Sequence, residues 1–246
     1  MTLRHEDIWN EQAAAAYDTP GEGMFDATLL AATAERLKTL AAGGRALEFA
    51  IGTGRVAIPL YERGVDVAGI EIAPAMAAKL REKAGEAIPL VIGDMTRSVV
   101  PGTFSLVFLV FNGISNVLTQ EEQMACFRNA ARHLGVGGRF VVELWVPQLP
   151  RPQDAQAIVV RSQPGYVVVD TYDVLAQQVI SHHFRFGDGD RASLFRSPHR
   201  YVLPAELDLM AQLAGFELEA RHADWSEVPF TAASRSHVSV YRKVRD

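Results

Sequence analysis

Three short stretches of the chain gather glycines and carboxylates at intervals that suit a nucleoside ligand. The first is Leu47-Glu48-Phe49-Ala50-Ile51-Gly52-Thr53-Gly54-Arg55, an apolar run that breaks into glycines. Glycines at 52 and 54 let the backbone pass close to a ligand, and a helix starting just beyond them presents unpaired N–H groups. Nineteen residues after Gly52, a second apolar run ends at Glu71, in Ala68-Gly69-Ile70-Glu71-Ile72. If these runs are neighbouring parallel strands, Glu71 lies beside the glycine loop and can accept both hydroxyls of a ribose. A third acid follows in Gly93-Asp94-Met95. Asp94 can accept from an adenine amino group, while Met95 offers an apolar wall and a backbone N–H. Each stretch alone is weak evidence, since many strand–helix turns contain glycine for tightness. Together they describe an adenosine site.

The elements that must position these residues are legible from hydrophobic patterning. Between residues 45 and 146, short apolar runs at 45–51, 65–72, 88–94, 104–111 and 139–146 read as buried strands bounded by Gly, Pro or Asp. Helical patterns at 55–63, 74–84 and 119–134 separate them. The last is the clearest. Thr119 and Glu122 form a capping box, Met124, Phe127, Ala131 and Leu134 make one apolar stripe, and Gly135 supplies a stop. His133 near its end reads as a partner of the helix dipole. Alternating apolar strands and helices imply a parallel sheet covered on both faces.

Residues 1–44 read as an N-terminal helical cap, with an Ala- and Leu-rich stretch at 24–41. Residues 147–203 break the alternation. A Pro-rich loop (Pro147, Pro150, Pro152) leads to strand-like runs at 157–161, 166–175, 179–186 and 191–203, separated by the turn dipeptides Pro164-Gly165 and Asp188-Gly189. They read as an antiparallel sheet inserted into the parallel domain. A helix from Pro204 to Ala214, stopped by Gly215, and strands at 216–224 and 237–244 close the chain. The organisation is one domain, its cofactor-binding core at 45–146 and 204–246, with the insert laid over the substrate site.

Composition narrows the partners. With 246 residues, 48% hydrophobic and 22% charged, the chain can bury a sizeable core and is not disordered. A net charge of −5 argues against a nucleic-acid partner. The longest apolar run, at 104–111, is far too short to span a membrane. No basic segment followed by an apolar stretch opens the sequence, so a cytoplasmic protein is expected. The single cysteine, Cys126, forbids an intrachain disulfide and a cysteine-based zinc site. His182 and His183 are adjacent on a strand and point to opposite sides, so no metal site is expected.

Gly52-x-Gly54-x-x-Ala57 with a downstream acid also fits a dinucleotide fingerprint. Two features favour a different ligand. Glu48 lies inside the first strand, where a pyrophosphate gains nothing from a negative charge but an ammonium or sulfonium does. The tail, moreover, lacks a second mononucleotide-binding half. Glu48-x-Ala50-x-Gly52-x-Gly54, Glu71, Gly93-Asp94-Met95 and Leu134-Gly135-Val136-Gly137-Gly138-Arg139-Phe140 resemble the class I S-adenosylmethionine-dependent methyltransferases. Phe111-Asn112-Gly113-Ile114-Ser115-Asn116-Val117 resembles that family's small-molecule branch; the nucleic-acid amino-methylating branch carries an Asn/Asp-Pro-Pro-Tyr/Phe run instead. Ala50 departs from the usual first glycine, which alanine can replace at negative φ.

The resemblance implies an α/β, doubly wound, mostly parallel seven-stranded sheet (Rossmann-like) with its last strand antiparallel, and S-adenosylmethionine across the carboxyl ends. It implies that Gly52, Thr53 and Gly54 approach the methionine part and ribose, that Glu48 orients the amino group, and that Glu71 takes the ribose hydroxyls. Ile72 and Met76 then flank the adenine, and Gly93, Asp94 and Met95 read its edge. Phe111 and Asn112 lie near the transferable methyl, and Tyr17 resembles a tyrosine that closes over the cofactor. Arg55 either caps the loop or pairs at the surface.

The expected reaction is in-line displacement to an O or N atom of a small molecule, where alignment and desolvation supply most of the catalysis. Should the acceptor need a base, alternation in the insert groups His182 with Ile180, Phe184 and Phe186, so an inward apolar face makes His182 the candidate. Asp170, Tyr172, His199 and Tyr201 follow on neighbouring strands. Insert aromatics suit a hydrophobic acceptor or a homodimer contact. The competing readings are a nicotinamide-dependent oxidoreductase and a catalytically silent adenosyl-cofactor-binding protein.

Overall fold

The computed structural model describes residues 8–21, 23–149, 158–187 and 191–245. The N-terminal segment contributes a short helix α1 (Glu11–Ala15) capped by the Asn10 side chain, a 3-10 turn (Gly23–Phe25), and α2 (Ala27–Ala41) capped by Asp26. The alternating region then runs β1 (Ala46–Phe49), α3 (Ala57–Glu62), β2 (Val67–Glu71), α4 (Pro74–Ala84), β3 (Leu90–Ile92), β4 (Phe104–Leu109), a 3-10 turn (Gly113–Asn116), α5 (Gln120–His133) and β5 (Leu134–Trp145). After the second sheet come α6 (Pro204–Leu213), β10 (Phe216–His222) and β11 (Ser236–Lys243).

The first sheet has seven strands in the order β10-β11-β5-β4-β1-β2-β3. β1 lies parallel between β2 and β4, β5 runs parallel to β4, and β11 is antiparallel to β5. Every residue of β1 and β2 is buried, as their unbroken apolar runs require of strands covered on both faces. Alternate residues go to opposite cores. Leu47, Phe49, Ile70, Val107 and Phe140 pack with Phe127, Leu207 and Met210 of α5 and α6. Ala46, Val67, Leu106, Phe108 and Val141 pack with Leu37, Leu60 and Leu80 of α2, α3 and α4.

The second sheet is antiparallel, in sequential order β6 (Ile158–Gln163), β7 (Tyr166–Asp173), β8 (Gln178–Phe186) and β9 (Ala192–Arg200). Gly165 makes the expected first turn at φ +74°. The turn expected at Asp188-Gly189 and most of the Pro-rich loop lie outside the described residues. β7 ends at Asp173 rather than 175 because its carboxylate accepts N–H groups of Leu175 and Ala176, folding the chain back.

Two expectations about α5 need correction. Gly135 does not end the helix; the chain turns extended at Leu134 and enters β5 directly. The glycines instead accommodate an irregular register in which Phe104 pairs with Leu134 but Leu106 with Arg139. His133 is no charged dipole partner either. It is buried, its Nε2 accepts the Val100 N–H, its Nδ1 lies 2.8 Å from the Asn129 carbonyl, and burial lowers its pKa. A neutral ring satisfies both bonds.

Candidate active site

A cleft with about 1050 Å³ of space out to its mouth lies across the carboxyl ends of β1 to β4. Of the residues expected to bind cofactor, Tyr17, Glu48, Ala50, Gly52, Thr53, Glu71, Ile72, Met76, Gly93, Asp94, Met95 and Phe111 line it. Gly54 and Asn112 do not.

The glycine loop turns through left-handed conformations at Ala50 (φ 51°), Gly52 (φ 59°) and Gly54 (φ 80°). Ala50 therefore does not sit at negative φ; an L-residue there costs roughly 1–2 kcal/mol. Gly54 has a packing reason rather than a ligand-facing one, because a Cβ there would collide with Leu80 of α4. The loop is tied down by Glu71. Its Oε2 accepts the Gly52 N–H and its Oε1 accepts the Ala73 N–H, each at 2.8 Å, joining β2 to the loop and to α4. Burial raises its pKa against those bonds. With the Ile72 N–H also directed at it, the carboxylate still has acceptor capacity beyond its backbone bonds for a ligand hydroxyl.

Glu48 is 3% exposed, and its Oε2 has no hydrogen-bond partner. Burial pushes its carboxyl well above the usual range, opposed by the Arg55 charge and the Ala57 N–H. An orphaned carboxylate oxygen in a cleft wall is an acceptor awaiting a donor. A cofactor carrying an ammonium group fits it.

Asp94 makes a tight turn. Its Oδ1 accepts both the N–H and the hydroxyl of Thr96, while Arg97 lies 3.3 Å from Oδ2. Asn129 of α5 donates to the Met95 carbonyl at 2.8 Å and so fixes this wall. Met76, buried on α4, meets Ala14, Trp9 and Tyr17 from the N-terminal segment. Ile72 presents an exposed apolar surface.

Beyond β4, Phe111 (φ 49°) and Asn112 (φ 62°) are consecutive left-handed residues. The Phe111 N–H donates to Glu143 Oε2 at 2.8 Å, and the Asn112 N–H to the Glu143 carbonyl at 3.1 Å. Asn112 Oδ1 accepts the Trp145 N–H at 2.7 Å. The Asn112 side chain thus pins β4 to β5 instead of facing the cleft. Phe111, 44% exposed, is left as the wall at that end.

The N-terminal segment closes one side. Tyr17 packs edge-on against Trp9 and Phe25, and burial raises its phenol pKa. Thr53 donates to Asp18 Oδ1 at 2.6 Å, Lys83 reaches Oδ2 at 2.8 Å, and Arg55 donates to the Met24 carbonyl at 2.9 Å.

His182 lines no part of the cleft; its ring nitrogens lie 3.2 Å from the Thr171 hydroxyl and 3.3 Å from Arg196 Nε. Of the two faces of the second sheet, the opposite one is the more buried. It carries Val168, Asp170, Val179, Ser181 and Ser197, with Tyr172, His183 and His199. Apolar content misled here because Ile180, Phe186 and Leu194 are exposed, while Asp170 and Ser181 are buried through their mutual 2.7 Å hydrogen bond. The sequence reading also missed Trp9, Thr96, Asn116, Val117 and Glu122 as cleft residues. Asn116 and Val117 end the motif after β4, which was a signal; Trp9 and Thr96 carried none.

Comparison with known proteins bears on the family and the fold. The methyltransferase-domain family matches residues 46–138. The solved structure of the CcbJ methyltransferase from Streptomyces caelestis is 36% identical, covers 98% of this chain and 100% of its own, and superposes with a TM-score of 0.86. The cypemycin N-terminal methyltransferase of a Streptomyces species is 26% identical over 96% of this chain and 98% of its own. The amino pentose methyltransferase CalS10 from Micromonospora echinaspora shares the fold at TM-score 0.70 and 23% identity, over 98% of this chain and 100% of that one. The chain therefore belongs to the S-adenosylmethionine-dependent methyltransferases.

Proposed function

We propose that this enzyme methylates an amine or hydroxyl of a small molecule, with nitrogen favoured, by in-line displacement at the Phe111 end of the cleft. The observation that carries the reading is the pairing of Glu48, a buried acceptor without a donor, with Glu71 on the far side of the glycine loop. One side suits an ammonium and the other a ribose. The likeness to an N-terminal methyltransferase over nearly the whole chain supports nitrogen as the acceptor atom.

When bound, S-adenosylmethionine supplies a methyl group already activated on a sulfonium. In this reading Glu48 holds the amino group, Gly52 and Thr53 border the methionine part, and Glu71 orients the ribose. Ile72 and Met76 sandwich the adenine, and Asp94 with Met95 meets its edge. Tyr17 and Trp9 exclude water from above, and the left-handed pair at 111–112 fixes the wall past which the acceptor enters. The buried face of the second sheet supports the acceptor, with Asp170, Tyr172, His199 and Tyr201 in place of His182. Tyr201 packs on Trp145 (6.5 Å) and on Tyr172 (6.1 Å), which links that face to the end of β5.

The same reading treats residues 147–203 as an insert in one methyltransferase domain acting in the cytoplasm. Exposed Val160, Ile180, Phe186 and Leu194 on the other face are consistent with a homodimer; light scattering decides that point.

Isothermal titration tests the cofactor roles. Glu71→Ala and Asp94→Ala are each expected to weaken S-adenosylmethionine binding about tenfold or more, from the loss of charge-assisted hydrogen bonds. Unchanged affinity in both would refute those roles. Mass-spectrometric screening of pooled amines and alcohols tests the acceptor, and a product methylated on carbon would refute it.

A further inference from the structure

The second sheet carries a row of hydrogen-bonded titratable side chains that the cofactor site does not use. On the face holding Val168, Asp170 and Val179, the Tyr166 hydroxyl is hydrogen-bonded to Nδ1 of His183, and Nε2 of His183 lies 3.0 Å from the Ser197 hydroxyl. Nε2 of His199 lies 3.0 Å from that same hydroxyl. The row thus runs unbroken across β7, β8 and β9. Ser197 at its middle is buried, whereas Tyr166, His183 and His199 are half-buried.

Its inner end lies at the methyl-transfer side of the cleft. His199 precedes Arg200, whose carbonyl accepts from Gln123 Nε2, and the same amide donates to the carbonyl of the cleft residue Val117. Tyr201, two residues after His199, packs on Trp145 at the end of β5. The outer end, Tyr166, opens β7 beside the Arg185 guanidinium (5.8 Å).

A serine hydroxyl between two imidazole nitrogens has one proton to give, so it donates to one ring and accepts from the other. The row therefore has two polarities with the same number of protons. In the first, His199 donates from Nε2 to Ser197, Ser197 to His183, and His183 from Nδ1 to Tyr166. In the second every bond is reversed. A proton added at Nδ1 of His199 converts the first into the second and expels one proton from the Tyr166 hydroxyl. Asp170 and Tyr166 of β7, Arg161 of β6, and Arg185 and His182 of β8 are the charged or titratable groups around His183. Asp170 is held by Ser181 and Arg161, so it biases the row without joining it. Burial lowers the His183 pKa and Asp170 opposes that, which suits a ring that passes a proton on rather than keeping it.

An amine in this cleft needs such an outlet. Four acidic side chains (Glu48, Glu71, Asp94 and Glu122) against one Arg line it, which favours an ammonium over its free base. An ammonium nitrogen has no lone pair until a proton leaves. The geometry points to Tyr166, His183, Ser197 and His199 as a proton relay that drains the methyl acceptor, an inference that rests on nitrogen methylation in this cleft. His199 takes one proton from the ammonium and Tyr166 releases one to water. The freed lone pair forms the N–C bond as the S–C bond breaks, and the electron pair of that bond stays on sulfur. His199 is the catalytic residue; Ser197, His183 and Tyr166 act through it.

The test measures methylated product formed from pooled primary and secondary amines near neutral pH with saturating S-adenosylmethionine, alongside isothermal titration of that cofactor. Ser197→Ala and Tyr166→Phe should each lower product formation about tenfold or more while leaving cofactor affinity unchanged. Ser197→Thr keeps the hydroxyl and should retain most of the activity. Added imidazole should restore much of the lost activity in Ser197→Ala and leave the wild type unaffected. Tyr166→Phe, with the same imidazole addition, carries the test should Ser197→Ala not fold. Full activity in either variant overturns the relay. So does a loss that Ser197→Thr shares or that imidazole does not relieve, which makes these side chains structural members of the sheet only. In all those cases the wild type still methylates amines, and the function proposed for the cleft stands. A wild type that binds the cofactor and methylates no amine overturns the relay together with the nitrogen reading.

Discussion

Glu48 and Ala50 stand two residues apart, and each holds an unfavourable state that the cofactor site explains. Glu48 keeps a carboxyl in a wall where burial favours its neutral form. A carboxyl whose folded pKa is raised binds a proton more readily in the native state. The stability of the cofactor-free enzyme should therefore fall as pH rises from the ordinary carboxylate range toward the raised value, and Glu48→Gln should flatten that slope. An ammonium placed against Glu48 restores the ionised form, so cofactor binding should release a proton below the raised pKa. Titrations in two buffers of different ionisation enthalpy measure that proton, and Glu48→Gln should abolish it. At Ala50 the strain is in the backbone. Ala50→Gly relieves a left-handed alanine but gives up about 0.4–1 kcal/mol of unfolded-state restriction. A net gain of about 0.5–1 kcal/mol in chemical denaturation is expected, with cofactor affinity unchanged or higher.

The two sheets are joined by a buried polar hub. Arg200 at the end of β9 is 4% exposed and donates to Glu206 of α6 (2.7 Å), to Gln177 (2.8 Å) and to Gln123 of α5. Gln123 in turn donates to the carbonyls of Ile114 and Val117, in the turn that ends as cleft wall. Burial alone would raise the Glu206 pKa, but hydrogen bonds from Arg200, Gln177 and Gln120 hold it below the ordinary value. The stability this carboxylate contributes is present above its unfolded pKa and is lost on acidification through the folded one. Arg200→Ala leaves Glu206 and Gln123 without their cation, and a loss of about 3 kcal/mol or more in denaturant unfolding is expected. Because Val117 lines the cleft, acceptor binding should weaken more than cofactor binding. Sequence patterning located both helices and both sheets, yet this hub was invisible in it. Its members are separated by as many as 86 residues, and no local period relates them.

Across the whole chain, the cleft is roofed by residues remote in sequence. Asp18 bridges Thr53 and Lys83, and the Met24 carbonyl meets Arg55. Thr53 is fully buried beneath this clasp, and Trp9 and Tyr17 of the N-terminal segment line the cleft beside it. Ligand that binds only the closed form stabilises it by mass action, by about 2.7 kcal/mol at a hundredfold excess over Kd. Hydrogen exchange should accordingly slow across residues 8–25 on adding S-adenosylmethionine, and Asp18→Ala should remove much of that protection.

The alternation of apolar strands and helices, the glycine loop and the two acids at strand ends were determined by the sequence alone. Each is a local pattern, and parallel neighbouring strands bring their carboxyl ends together by geometry. Whether Asn112 would face the ligand or the neighbouring strand, whether Ala50 would turn left-handed, and which face of the second sheet would be buried were decided only by tertiary structure. Glu143 and Trp145 fixed the first of these outcomes, and Asp170 with Ser181 the last, through hydrogen bonds to partners on other strands. Burial of a polar pair depends on its partner, which a hydrophobic period cannot register.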